Sequence, residues 1–553
     1  MEHSLLHALQ LCGIVVALGG AILMLGILFP ALRSLNLEVQ PPALAGQLSA
    51  SVSRWFLWGA SVGVLAASLN LFVDVAEVQG QTIFGGVSPA VVWRFATITT
   101  VGRLSLLRLF ALLLTAGTFW VSGRWKWRLG FVSALAAAVC ESLISHAAAQ
   151  PAGRTSAITV ELIHILAASL WLGVLIHLLL ARPAIESAEN LTDSSLVAEL
   201  IRRFSPVAMT AVGLLGLSGL FLVIRYLCTP SAIPTTAYGL TLLVKLVLVV
   251  PLLYAGAVNY RVIRPRLQAL TTADAKEAHL ASIQRRVLLR RFSKLLELEV
   301  TAGILVIVMA GILASVSPPV GTGNLRLTNE QITALVTPHL PRVAIANPAT
   351  FYGAQERTVA DLQYAEFTHN WSGVMVCMLG CGWLAVSLGG RLGRRAEKVW
   401  PWLLVPFPFF IAIAADPEVW LLHKVSLRQT ISDPQLLEHQ IGALLAFTLV
   451  CLGWLDRRLP ARQRPLGYAL PVLMILGSLL LLGHAHSNFT STQELTNLIN
   501  VQHAVFGSFG LFAGTLRLLN LRGLFPSAIA RPLWPTLIIG LGLYMAFCYR
   551  EVV

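Results

Sequence analysis

Residues 160 to 183 read "VELIHILAASLWLGVLIHLLLARP". From Leu162 to Leu180 no Asp, Glu, Lys or Arg interrupts the run, which matches the roughly 20 apolar residues a helix needs to cross a bilayer core of about 30 Å. The same run carries His164 and His177, with Glu161 at its start. Ionisable side chains inside a span are costly and mark metal, proton or cofactor sites. The stretch therefore predicts a membrane helix that carries chemistry.

Working outward, the rest of the chain follows the same template. Of 553 residues 56% are hydrophobic and 12% charged, and the mean hydropathy is +0.74, whereas soluble domains carry about 25% charged residues. Fourteen apolar segments are expected as spans: 8–31, 55–76, 104–121, 127–146, 157–181, 206–226, 237–260, 296–316, 367–389, 399–415, 437–455, 466–484, 498–519 and 532–549. The fold class is an all-α polytopic membrane helical bundle of about 14 transmembrane helices.

The net charge of +14 does not point to nucleic acid, because the basic residues are sorted by side. With the N-terminus outside, 28 of the 40 Lys and Arg fall in loops on the inner side, as the positive-inside bias requires. Both termini are then expected outside, which in a bacterial inner membrane is the periplasm. The opening "MEHSLLHALQLCG" has no basic n-region and no small-residue cleavage site, and reads as the start of the first span. The seven Cys show no disulfide spacing. The Arg-rich block 261–294 is expected to be an amphipathic helix on the inner membrane surface. The polar, Pro-rich stretch 317–366 divides an eight-span domain, 1–316, from a six-span domain, 367–553.

That topology puts His3, His7, His146, His164, His369, His423, His439, His484, His486 and His503 at or near the outer face. Three features recur in order in the two blocks: a histidine in the first span (His7, His369), one closing a later span (His146 in "SHA", His484 in "GHA"), and one in the next span (His164, His503). A weak internal duplication is expected from this. Imidazole binds copper, zinc, iron and nickel, so the metal candidates are His146 with His164, and His484 and His486 with His503, joined by His369 or His439, and His7. Glu161 shares a helix face with His164 and could orient it; Asp74 is placed near the pathway. Cys377, Met378 and Cys381 offer soft donors. For any single histidine the alternative is an interfacial ring bonded to a backbone carbonyl, and Cys377 and Cys381 also read as small core residues.

The stretch "HAAAQPAGRTSAITVELIHILAASLWLGVLIHLLLARP" resembles the CopD family of copper-resistance and copper-transport membrane proteins, through His146, His164, Trp171 and Gly173. Val174 stands where that family has a second Gly. The resemblance covers most of residues 1 to 316. It implies an inner-membrane helical bundle that handles copper, is not an enzyme, and works with a small periplasmic copper-binding protein of the CopC type. With no Walker or aspartyl-phosphate motif, movement of copper from the outer face into or across the membrane would be gradient-driven or facilitated. Two alternatives stay open: bis-histidine haem ligation for electron transfer, and copper-dependent assembly or sensing without net transport.

Overall fold

A computed structural model of the chain describes residues 2–150, 152–186, 191–271, 278–320, 326–343, 358–416, 425–458, 465–484 and 493–552. Among the described residues there are helices and no strands. Thirteen of these helices are long and apolar enough to cross a membrane, so the chain is a multi-pass membrane protein. The first eight are α1 (Glu2–Ser34), α2 (Ala43–Val78), α3 (Thr100–Trp120), α4 (Gly123–Ile144), α5 (Arg154–Leu180), α6 (Ser195–Leu227), α7 (Ala237–Leu270) and α8 (Ser282–Ser315). The later ones are α9 (Val359–Leu388), α10 (Gly390–Ala414), α11 (Pro434–Leu455), the shorter apolar helix α12 (Ala469–Gly483), α13 (Glu494–Leu521) and α14 (Ser527–Phe547).

The opening stretch forms α5, and its Trp and Gly have a packing role. A Cβ on Gly173 would stand 2.3 Å from the Val15 carbonyl oxygen and 2.9 Å from the Gly19 Cα. Helix α5 therefore crosses α1 at backbone contact, which small residues permit in membranes. Trp171 and Val174 are buried in the largest apolar cluster, around α1. The two blocks meet through Val244 and Leu248 of α7 and Leu305, Met309 and Ile312 of α8, packed on Ile475, Leu482, Ala504 and Leu511 of α12 and α13.

Two expectations need correction. The basic block 261–294 does not form a separate surface helix. It is divided between the extension of α7, through a π-turn at Asn259–Ile263 and a helix at Arg264–Thr271, and a helix running unbroken from Ala278 to Ser315. No Gly or Pro occurs between 278 and 302 to stop it. The polar connection is shorter than expected as well, because α9 starts at Val359 behind a Thr358 capping box. Its described part is pinned down: Leu327 donates its N–H to the Thr235 carbonyl at 3.1 Å, and Leu327 and Leu335 are buried against Leu498 and Val501.

Candidate metal centre

Helices α9, α11 and α13 and the end of α12 each bring one histidine to the same end of the C-terminal bundle. Helix α12 explains their depth. With 15 residues it rises about 22 Å at 1.5 Å per residue, short of the roughly 30 Å hydrocarbon layer. Its last residue is Gly483, His484 follows in extended geometry, and His484 is only 6% exposed.

The rings form a row. His439 lies 5.2 Å from His484, His484 lies 5.1 Å from His503, and His503 lies 5.4 Å from His369, centroid to centroid. Every Nδ1 is tied. His439 Nδ1 pairs with Asp416 Oδ2 at 2.7 Å and His484 Nδ1 with Glu438 Oε2; His503 Nδ1 donates to the Ile499 carbonyl at 2.9 Å and His369 Nδ1 to the Ala365 carbonyl at 2.8 Å. A neutral ring that donates from Nδ1 carries its lone pair on Nε2. Such partners are what fix the orientation of metal-ligating histidines. Tyr549 stacks on His369 at 4.0 Å.

These separations are ordinary aromatic contact distances and are also compatible with two imidazoles sharing one ion. Among the described residues, however, no group of three or more His, Cys, Asp or Glu side chains is placed to hold one ion. The arrangement is a chain of pairs. His486 and His423 lie outside the described residues.

The N-terminal block uses its histidines differently. His7 Nε2 is 3.2 Å from Glu141 Oε1, whose other oxygen accepts Arg108 Nη1 at 2.9 Å and Gln10 Nε2 at 2.5 Å. The Arg108 cation opposes a metal ion at His7. His3 stacks on His7 at 5.9 Å, stands 3.6 Å from Asp74 Oδ1, and bonds Ser315 Oγ at 3.1 Å. His146, beyond the end of α4, rests on the backbone of Leu313 and Ala314; burial lowers its pKa and keeps the ring neutral. Its Nε2 is buried without a hydrogen-bond partner.

His164 is elsewhere. Its Nδ1 bonds Ser218 Oγ of α6 at 2.9 Å, and Lys245 of α7 is its charged neighbour. Among the described residues no hydrogen bond or ring contact joins His146 to His164, and Ser218, not Glu161, orients the His164 ring. His177 donates to the Val16 carbonyl at 2.8 Å, a packing role. Cys377 packs against Gly542 and Cys381 is exposed, so neither belongs to the histidine row.

Sequence reading missed Asp416, Tyr549, Arg108, Glu141 and Lys245. The last three carried a visible signal, since each is a charge inside an apolar run: Arg108 in "SLLRLFALLL", Glu141 in "AAAVCESLIS", Lys245 in "TLLVKLVLVV".

Comparison with known proteins separates the two blocks. Residues 4–156 match the family model "Copper resistance protein D-like, N-terminal domain", and residues 198–313 match "Copper resistance protein D". Over 170 residues the chain is 33% identical to the copper transport protein CutJ of Bacillus subtilis (strain 168). That alignment covers 30% of this chain and 26% of the relative's length. No solved structure matches the chain. The two matches fall within helices α1 to α8, which are similar to copper resistance protein D over those residues, and the histidine row of α9 to α13 lies beyond both matches.

Proposed function

We propose that the protein takes up copper at its N-terminal face and moves it into or across the bacterial inner membrane, with the row His439, His484, His503 and His369 as the path the ion follows. The supporting observation is the pairwise spacing of those rings with every Nδ1 already bonded. A row of two-ligand positions, with no closed site among the described residues, suits hand-over of an ion rather than storage, because a conduit must bind weakly enough to release. Asp416 and Glu438 supply the negative charge that draws a cation inward. On this reading 1–316 and 367–553 are two domains, the N-terminal face is periplasmic, and a small CopC-type copper carrier delivers the ion. His146, neutral and with Nε2 unpartnered, is the candidate receiving group in the first block.

The test is metal analysis of the purified protein. Replacing His369, His484 and His503 together with Ala should lower copper per folded chain by at least half, read on the folded fraction because His484 is the partner of the buried Glu438 carboxylate. Unchanged copper content overturns the assignment, and a Soret band in the wild-type spectrum replaces it with haem. Reporter fusions after residue 460 should behave as cytoplasmic; periplasmic behaviour would invert the proposed face.

A further inference from the structure

At the end of the C-terminal helices opposite the histidine row, two indoles and a guanidinium are gathered. Trp383 lies 14 residues beyond His369 along α9, and Arg517 lies 14 residues beyond His503 along α13, in each case a rise of about 21 Å at 1.5 Å per residue. Trp534 of α14 joins them: its ring centroid stands 5.5 Å from that of Trp383, and Arg517 Cζ lies 5.5 Å from it. Trp400 of α10 also packs on Trp383, at 5.7 Å. Trp454 of α11 is 15 residues beyond His439 and so at a similar depth; it pairs with Trp402 at 4.8 Å, and both are exposed. Indoles gather in this way at bilayer boundaries.

The inner members of the group are donors only. Trp383 and Trp534 are 6% and 3% exposed, yet among the described residues neither Nε1 has a hydrogen-bond partner, whereas a buried indole N–H ordinarily finds an acceptor. Arg517 Nε is buried and unpartnered in the same way, and the charged group acting on Arg517 is a second cation, Arg531. Arg522, one turn further along, differs: it pairs with Glu297. A cation would be repelled by Arg517 and Arg531, and an apolar group would leave the N–H groups unbonded. An anion with several acceptor oxygens meets both needs, and the planar fork of a guanidinium suits phosphate.

We infer that Arg517, Trp383 and Trp534, with the exposed Arg531 beside them, form a binding site for a phosphate group. The head of an anionic phospholipid and free inorganic phosphate share this chemistry, and basic pockets between membrane helices are known to take lipid head groups. The site shares no residue with the histidine row, so it holds whether or not the row carries copper.

Full-length protein, delipidated in a neutral detergent, is titrated with short-chain phosphatidylglycerol, with inorganic phosphate, and with a diacylglycerol of the same chain length, and affinity is read by calorimetry. The expected result is saturable binding of a phosphate-bearing ligand that is at least about tenfold weaker in Arg517→Gln, as for loss of a hydrogen bond to a charged group. Trp383→Phe, which keeps a ring in the stack and removes the N–H, should weaken it severalfold. Arg128→Gln, an exposed cation of the first block, should leave it at the wild-type value, and the diacylglycerol, which has the chains and no phosphate, should bind at least about tenfold more weakly. Saturation by phosphatidylglycerol alone identifies a lipid head as the source; inorganic phosphate that saturates and competes with it identifies a free anion. No saturable binding of either, wild-type affinity in folded Arg517→Gln and Trp383→Phe, an equal loss in Arg128→Gln, or equal affinity for the diacylglycerol overturns the inference. Should Arg517→Gln not fold, Trp383→Phe decides alone. Copper content measured on the same preparations should be unchanged in both variants, so loss of the phosphate site is distinguished from loss of the copper path.

Discussion

In the first eight helices the buried carboxylate of Glu141 is surrounded by donors: Arg108, Gln10 and His7 all reach it, and Asn70 in turn holds Gln10 at 3.1 Å. In the last six helices the relation is reversed. Two carboxylates, Asp416 and Glu438, each hold a histidine from behind, and further histidines line up beside those rings. The first arrangement spends its negative charge on a fixed guanidinium and resists another cation. The second keeps carboxylates directly behind the rings of His439 and His484. Histidine and carboxylate together therefore do not define a metal site; in the first block the Arg108 guanidinium on Glu141 opposes one.

The largest effect that separates the two clusters is on stability. Arg108 and Glu141 are almost fully buried, with side-chain exposures of 4% and 3%, and removing one member of such a pair leaves the other uncompensated, at a cost of about 3–5 kcal/mol. Glu141→Leu should collapse yield and melting temperature, and adding Arg108→Met should restore most of the loss, because a packed apolar pair is often close to neutral. Recovery in the double variant is the deciding measurement. If the single variant stays within about 1 kcal/mol of wild type, the carboxylate is not the structural centre of the first block.

A smaller effect, confined to metal, is expected from Asp416→Asn. Losing the partner that orients a ligating ring costs about 10–100-fold in affinity, so copper binding should weaken by that factor with little change in melting. Asp74→Asn, beside His3 in the first block, should leave copper affinity at the wild-type value. Equal losses in both variants would mean that the two clusters share one metal function.

The sequence was informative about depth and poor about direction. Hydropathy located the fourteen apolar helices among the described residues, including α12, and α12 ends at Gly483 with the His484 ring 5.1 Å from that of His503. It also anticipated that the adjacent Glu438 and His439 point apart, to His484 and Asp416. Among the described residues His146 and His164 make no direct contact, because spacing fixes how far a residue lies along a helix and says nothing of which neighbour its face meets. His164 faces α6 and His146 tucks under the end of α8. The carboxylate partners were hidden for a related reason: Asp416 is 23 residues from His439 and Glu438 is 46 from His484, far beyond the three- and four-residue spacing that reveals contacts within one helix.

The smallest effect tests what holds the last ring of the row. His369 is held in part by a hydrogen bond from Nδ1 to the Ala365 carbonyl of its own helix and by the Tyr549 ring stacked at 4.0 Å. The segment carrying Tyr549 is anchored without that ring. Arg550 N donates to Gln502 Oε1 at 3.0 Å, Gln502 Nε2 to the Arg550 carbonyl at 2.7 Å, and Glu366 Oε1 accepts the Glu551 and Val552 N–H groups at 2.8 Å. Tyr549→Leu therefore keeps the segment in place and removes the stack together with the hydroxyl bond to Glu551, a loss of about 1 kcal/mol for such an aromatic pair. Because the Ala365 carbonyl still sets the tautomer, copper affinity should stay within about threefold of wild type, well short of the 10–100-fold expected when an orienting partner is lost. A tenfold drop would show that the stack orients His369, and would place this aromatic contact alongside Asp416 and Glu438 as a support of the row.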